Sequence, residues 1–90
     1  MAIFGTGARG IRCHHGCRFL GIEVRCFVDN SIDVQRRGQW LGRPVVDPAA
    51  LAGAAGRGID VVVITSLVHS EAMRAQLASL GVTIDVVVFA

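Results

Sequence analysis

The chain has 90 residues, enough for one small domain, with 52% hydrophobic residues and a formal net charge of +2. The nine basic residues are scattered arginines and aromatic residues are few, which argues against a nucleic-acid-binding surface. The purest apolar blocks, 61–64 and 86–89, are far shorter than the ~18 residues of a membrane span and predict buried strands. Three cysteines, an odd number without a signal peptide, favour a cytoplasmic location over a disulfide framework.

The first predicted elements are a strand over about residues 1–4 and a helix over about 8–20. Gly21 follows the helix and is a favourable C-cap residue. His14 and His15 are expected to point away from the core-facing stripe, which repeats every 3.6 residues. That stripe consists of Gly10, Cys13, Cys17 and Leu20.

The middle of the chain predicts two short strands separated by an irregular segment. The second strand is expected over about residues 23–28 and ends at Asp29-Asn30, a pair typical of turns. Residues 30–44 hold no clear periodic element and predict an irregular connection or a tight hairpin. A third strand is expected at 44–46.

The second half of the chain predicts two helices and two strands. Asp47-Pro48 favours a helix start, because Asp can cap the helix and Pro suits its first position, and this helix is expected to reach about residue 55. A strand is expected at 60–65, and Ser66 is the expected N-cap of a helix to about residue 80. The last strand covers about 83–89.

This alternation predicts one α/β domain over residues 1–90, a three-layer Rossmann-like fold with a parallel five-stranded sheet in the order 3-2-1-4-5. The connection from strand 2 to strand 3 has no evident helix, so the face that carries the first helix is expected to be incompletely covered. Since a parallel sheet normally buries both faces, we expect a partner domain or a second copy of the chain on that side.

A glycine-rich loop follows the first strand and opens the first helix. This strand–turn–helix setting is the one in which G-x-G-x-x-G binds a nucleotide phosphate, with helix N–H groups as donors. Arg9 sits in the first helical turn, within reach of an anion. The predicted phosphate-binding residues are Gly5, Thr6, Gly7, Ala8, Arg9 and Gly10.

Asp29 lies 19 residues after Gly10, at the end of the second predicted strand. An acidic residue at this place accepts a hydrogen bond from a ribose hydroxyl in dinucleotide sites, whereas the alternative is that Asp29-Asn30 is only a turn. Residues after the fourth strand reach the same sheet edge, so Thr65, Ser66 and His69 are further candidates for ligand contact.

The sequence predicts neither a catalytic group nor a metal site. His69 has the chemistry of an acid–base group, but it can equally belong to a polar first helical turn. Cys13 and Cys17 share one helix face and could in principle bind a metal with Cys26, yet on a core stripe cysteine acts as a small hydrophobe.

The order of motifs resembles a family of small bacterial Rossmann-type modules. The runs that carry the resemblance are I-F-G-T-G-A-R-G, G-I-E-V-R-C-F-V-D-N, L-G-R-P-V-V-D-P, I-D-V-V-V-I-T-S and L-G-V. Such modules are similar to the CoA-binding-like domains that precede sugar acyltransferases, and to domains of sugar transferases and methyltransferases. The resemblance implies that Gly5, Gly7, Gly10, Asp29 and Asn30 hold a sugar nucleotide.

The expected function is therefore non-catalytic binding of a nucleotide sugar or a related phosphate ligand, as part of or beside a sugar-modifying enzyme. The acyl-transfer domain of the similar proteins has no counterpart here, so only their binding role is carried over. Two alternatives stay open: a half-size NAD-binding domain of an oxidoreductase or epimerase, and an oligomerisation module with a vestigial pocket. The cofactor is unknown, with a nucleotide sugar or NAD both compatible with the motif.

Overall fold

The computed structural model describes residues 1–89, which form an α/β fold around one mostly parallel sheet. The strands of this part of the chain are β1 (Ala2–Phe4), β2 (Cys26–Val28), β3 (Gln39–Trp40), β4 (Arg43–Val46), β5 (Val61–Ile64) and β6 (Asp85–Val88). The α-helices are α1 (Ala8–Leu20), α2 (Ile32–Arg36) and α3 (Ser70–Ser79). Two short 3₁₀ helices, Pro48–Ala52 and Ala54–Gly56, lie between β4 and β5.

The strand order is β3-β4-β2-β1-β5-β6, with β3 antiparallel to β4 and the other neighbours parallel. The predicted count of five strands and the predicted order 3-2-1-4-5 therefore differ from the sheet, which has six strands in its described residues. The difference is a tight β3–β4 hairpin whose two turn residues, Leu41 and Gly42, have φ values of 49° and 81°. Positive φ at both positions matches a two-residue hairpin turn, but leucine gives little sequence signal for it.

Helix α1 has the predicted bounds, and Gly21 ends it in the left-handed conformation at φ 73°. Its stripe is buried at Gly10, Cys13 and Cys17, as predicted. Two expectations about this helix are wrong. Leu20 is the last residue of α1, extends past the sheet and is 70% exposed. His14 is only 5% exposed because its ring packs against Phe27 on β2.

The connections differ more from the sequence prediction than the strands do. The segment 30–44 contains α2 and β3, and the predicted helix after Asp47 consists of the two 3₁₀ helices. Asp47 does cap the first of them, since its carboxylate accepts a hydrogen bond from Ala49 N at 2.7 Å. The backbone then leaves the helical conformation at Gly53 (φ −116°, ψ −144°), between the two 3₁₀ helices, which interrupts the predicted helix.

The helix after β5 begins four residues later than the predicted cap. Ser66 Oγ accepts a hydrogen bond from His69 N at 3.1 Å and closes a turn, and α3 begins only at Ser70. Leu67 and Val68 lie in this turn and are exposed rather than buried in the core.

Successive side chains along each strand point to opposite faces of the sheet, so a hydrophobic core forms on each side. One core lies under α3 and the 3₁₀ helices, and the other lies under α1. The first includes Ala2, Phe4, Cys26, Val28, Leu51, Ile59, Val62, Ile64 and Leu77. The second includes Ile3, Cys13, Cys17, Val24, Phe27, Val45 and Val63.

The α1 side of the sheet is open next to β6. A cavity of about 320 Å³ lies there between α1 and the last strands. We call it the apolar groove, and it is lined by Met1, Cys13, Gly16, Cys17, Leu20, Val63, Val87, Val88 and Phe89. Of the helices in residues 1–89, none combines the length and apolar character required to cross a bilayer.

Candidate functional site

A cavity of about 330 Å³ lies at the carboxyl ends of the central strands, between the glycine-rich loop and the residues that follow β5. We call it the glycine-loop cavity. It brings together nine of the eleven predicted site residues: Gly5, Thr6, Gly7, Ala8, Arg9, Gly10, Asp29, Thr65 and Ser66.

The glycines of the loop differ in what surrounds them. Gly5 has φ +121°, and a Cβ there would collide with the hydroxyl of Thr65. A Cβ at Gly10 would collide with the carbonyl of Gly5, so this glycine lets α1 pack against the loop. Gly7 is different: its φ is −73°, and apart from its two chain neighbours no residue of the range 1–89 has a heavy atom within 4 Å of its Cβ position. The protein's own packing therefore requires glycine at 5 and 10 but leaves open space at 7.

Gly7 is also the N-cap residue of α1 and cannot supply a side-chain acceptor. The first backbone bond of the helix runs from Ile11 N to Gly7 O at 3.0 Å. The N–H groups of the first helical turn precede this bond and have no acceptor inside the helix. Together with the helix dipole they favour an anion in front of Gly7.

Asp29 ties the glycine-rich loop to the end of β2. Its Oδ2 accepts hydrogen bonds from Thr6 N at 3.2 Å and Thr6 Oγ1 at 2.8 Å, and its Oδ1 accepts one from Ser31 N at 2.8 Å. The carbonyl of Asp29 accepts a further bond from Gln35 Nε2 at 2.7 Å. A carboxylate offers about four acceptor positions, so about one remains for a ligand.

Arg9 crosses the cavity instead of extending into solvent. Its Nε donates to the carbonyl of Thr65 at 2.7 Å, its guanidinium donates to the carbonyl of Phe89, and it lies 5.3 Å from the centre of the Phe89 ring. Phe89 was not among the predicted site residues, although its place at the end of the last predicted strand puts it at the same sheet edge.

Of the remaining predicted residues, Thr65 and Ser66 line the glycine-loop cavity, whereas Asn30 and His69 lie outside its lining. Thr65 is buried, and its hydroxyl donates to the carbonyl of Phe4 at 3.0 Å, while Ser66 lies on the cavity wall. Asn30 lies outside the cavity lining and exchanges two hydrogen bonds with Gln76, at 2.9 and 2.8 Å. His69 is likewise outside the lining, as the exposed residue that precedes α3.

The cysteines lie in apolar surroundings. Burial and the neighbouring Cys17 raise the pKa of Cys13 to about 11, and burial also raises the pKa of Cys26. Cys17 Sγ is 3.2 Å from Met1 Sδ. Within residues 1–89 no group of three or more His, Cys, Asp or Glu side chains is arranged to hold a metal ion. The raised pKa values of Cys13 and Cys26 disfavour the nucleophilic thiolate form, and both side chains pack as small apolar groups.

No protein-family model matches this chain, and comparisons with curated proteins and with solved structures likewise found no match. The function is therefore argued from the geometry of the site.

Proposed function

We propose that the protein is a non-catalytic nucleotide-binding module of Rossmann type. The glycine-loop cavity takes the phosphate part of a nucleotide sugar or a related ligand, and the module acts within or beside a sugar-modifying enzyme. The observation that carries this proposal is the open space at Gly7, directly in front of the N-terminus of α1. Such an uncapped helix N-terminus with free space is suited to a phosphate group.

The position of the cavity in the sheet supports the same function. The chain leaves β1 toward β2 on one side, whereas β5 lies on the other side of β1. In open α/β sheets ligands bind outside the carboxyl ends of the strands, at the point where the connections change direction. The glycine-loop cavity lies at that point, between the loop after β1 and Thr65 after β5.

Asp29 is the residue proposed to bind the ribose, and its few free acceptor positions limit how many ribose hydroxyls it can bind. Three of its acceptor positions are used by Thr6 and Ser31. One ribose hydroxyl can be bound while the loop keeps its bonds, but two hydroxyls would have to displace Thr6 or Ser31. A nucleotide held mainly by its phosphate groups, with one ribose contact, fits this site best.

The substitution Gly7→Asp tests the proposal. Aspartate is favourable at an N-cap and has space here, so thermal stability should stay equal or rise by a few tenths of a kcal/mol, about the usual gain over glycine. The new carboxylate would occupy the helix N–H groups and repel a phosphate, so the affinity for UDP-glucose should fall more than about tenfold. Isothermal titration calorimetry and thermal unfolding measure the two effects.

Gly16→Asp is the matched control, because Gly16 lies on the same helix, also has open space at its Cβ position and is outside the glycine-loop cavity. It should leave the UDP-glucose affinity unchanged. NAD serves as a second probe: binding of NAD but not UDP-glucose would favour the alternative of a half-size NAD-binding domain. Absence of binding by both nucleotides, or equal affinity in the Gly7→Asp variant, would overturn the proposal.

A second candidate function is assembly, and the apolar groove favours it. The groove is continuous with the exposed side chain of Val87 on the edge strand β6 and with Leu20 on α1. An apolar strip beside an edge strand is a surface that soluble proteins normally cover. The occupant we propose is a second copy of this chain, and its test follows in the Discussion.

A further inference from the structure

A second cavity, of about 270 Å³, lies at the edge of the sheet opposite the glycine-loop cavity. It is formed by the second half of α1, the segment that leads into β2, and the turn of the β3–β4 hairpin. Its lining consists of His14, Arg18, Ile22, Glu23, Val24, Leu41, Gly42 and Arg43. We call it the histidine cavity, and the proposed nucleotide site shares none of these residues with it.

The wall of this cavity contains a buried polar group with unused bonding capacity. His14 is 5% exposed, and its Nδ1 is buried without a hydrogen-bond partner among residues 1–89. Its ring contacts Phe27, with 5.5 Å between the ring centres. Buried polar atoms nearly always have a partner, so an unsatisfied nitrogen on a side chain that lines a cavity is an exception. Nδ1 is closed to solvent in this ring orientation, so a ligand in the cavity reaches it only when the imidazole rotates toward the cavity.

The charged side chains of the cavity favour an anion. Neither Arg18 nor Arg43 makes an ion pair with another residue in the range 1–89. The carboxylate of Glu23 is closest to Arg25, at 3.8 Å. Burial lowers the pKa of His14, and Arg18, His15 and Arg43 lower it further. The imidazole therefore experiences uncompensated positive charge from α1 and from the hairpin.

The negative end of the α1 dipole opposes an anion here, but only weakly. The carbonyls of Arg18 and Cys17 already accept hydrogen bonds from Gly21 N and Ile22 N. The influence of a helix end falls off within its last turn and is screened at the surface, whereas the two guanidinium groups carry full charges.

We infer that the histidine cavity binds a small organic phosphate, with Arg18 and Arg43 as the charged partners of the phosphate and His14 as a hydrogen-bond partner. Two guanidinium groups bind phosphate oxygens in forked geometry, and with Glu23 in the same lining the cavity wall keeps a net positive charge. The apolar side chains of Ile22, Val24 and Leu41 provide a surface for a short carbon chain. The volume lies just below the roughly 300–1,000 Å³ of sites for drug-sized ligands, which fits a small metabolite.

NMR of the histidine side chains tests this inference at His14 itself. The full chain is titrated with glycerol 3-phosphate, inorganic phosphate and succinate, and the His14→Phe variant assigns the resonances of His14. Glycerol 3-phosphate should shift the His14 resonances and raise the pKa of His14, because its charge offsets that of Arg18 and Arg43. The variants Arg18→Gln and Arg43→Gln should each weaken this binding about tenfold or more.

Arg74→Gln, on α3 and outside the cavity, is the matched control and should bind like the wild type. Tighter binding of glycerol 3-phosphate than of inorganic phosphate would support an organic phosphate as the ligand. Equal affinity for the two would show that the carbon chain adds nothing and that the cavity binds the phosphate group alone. Unchanged His14 resonances, tighter binding of succinate, or an equal loss in Arg74→Gln would overturn the inference. Because Gly7→Asp should leave these shifts intact, failure here is distinct from failure of the nucleotide site.

Discussion

At the scale of single residues, His14 shows how burial and charge act together on one side chain. The ring is held against Phe27 in the core under α1, and its Nδ1 lacks a partner among residues 1–89. Burial is the largest cause of its lowered pKa, followed by the charge of Arg18. In the folded protein His14 is therefore neutral at pH values where a histidine of the unfolded chain already takes up a proton.

This difference predicts an effect of pH on stability. Above the ordinary pKa of 6.5 both states leave His14 neutral, and its full contribution to stability is present. As the pH falls below 6.5, the unfolded chain binds a proton that the folded chain rejects, so stability is lost until the lower pKa of the folded state is reached. In His14→Phe, which keeps an aromatic ring and removes the orphaned nitrogen, this loss should disappear.

Urea unfolding between about pH 7.5 and about pH 5 measures the effect as a difference between the variant and the wild type. The stability advantage of His14→Phe should grow as the pH falls. The exposed His69 is the control, because it is not among the groups that lower the pKa of His14, and His69→Phe should leave the pH dependence of the wild type in place. A constant difference between His14→Phe and the wild type would contradict the prediction.

The sequence predicted the loop residues better than the residues of the helix that follows. Spacing within one motif led to Gly5, Gly7 and Gly10, which all lie on the glycine-loop cavity. The period of α1 did not indicate that His14 is buried, because its partner Phe27 belongs to a different element. Contacts between distant residues leave no mark in the local pattern of a single sequence.

At the scale of elements, one side chain joins the loop after β1 to the end of β2. Thr6 donates both its hydroxyl and its backbone N–H to Asp29 Oδ2. The pair is 23 residues apart in the chain and partly buried. It holds the loop in the conformation that places Gly7 in front of α1.

Thr6→Val should therefore destabilise the fold by about 1.5–3 kcal/mol, the usual contribution of a hydrogen bond to a charged group. Valine keeps the shape and the backbone bond but removes the hydroxyl donor. Thr6→Ser restores a hydroxyl and should recover most of the stability. Thr83→Val changes an exposed threonine and should have little effect in the same urea titrations; an equal loss there would contradict this explanation.

The elements with strong local signals were predicted closely, and those set by distant contacts were not. Helix α1 has its predicted bounds because Gly21 is a local stop signal. A tight hairpin was one of two alternatives predicted before β4, but its first strand was not counted in the sheet, since Leu41 adopts a positive φ that its side chain disfavours. The region after Asp47 forms two 3₁₀ helices instead of one helix because the backbone leaves the helical conformation at Gly53, a residue inside the predicted helix.

At the scale of the whole molecule, the two faces of the sheet are covered unequally. Leu77 of α3 and Leu51 of the first 3₁₀ helix are buried on one face, whereas the other leaves the apolar groove open beside β6. The alternation of strands and helices was enough to predict the α/β class. The additional edge strand β3 was not counted in the predicted sheet, and the histidine cavity was not predicted, because its lining joins α1 to the turn of the hairpin.

If a second copy covers the apolar groove, the wild type should sediment as a concentration-dependent dimer. Gly16→Asp adds a carboxylate to this groove at a position with open space, so it should shift the protein to monomer without unfolding it. Gly7→Asp adds the same charge to the other end of α1 and should leave the dimer intact. A wild type that is monomeric at high concentration in sedimentation velocity would rule out this assembly.

The contact between Arg9 and the carbonyl of Phe89 also bears on how the protein is made. The two residues are 80 positions apart, so Arg9 is synthesised long before the residue whose carbonyl accepts its hydrogen bond. At about 5–20 residues per second, the ribosome needs about 4–16 s to add the intervening chain. During that time Arg9 and the loop have no last strand to bind. The Arg9–Phe89 contact can form only after β6 has been synthesised, whereas the bonds between Thr6 and Asp29 need no residue beyond β2 and its turn.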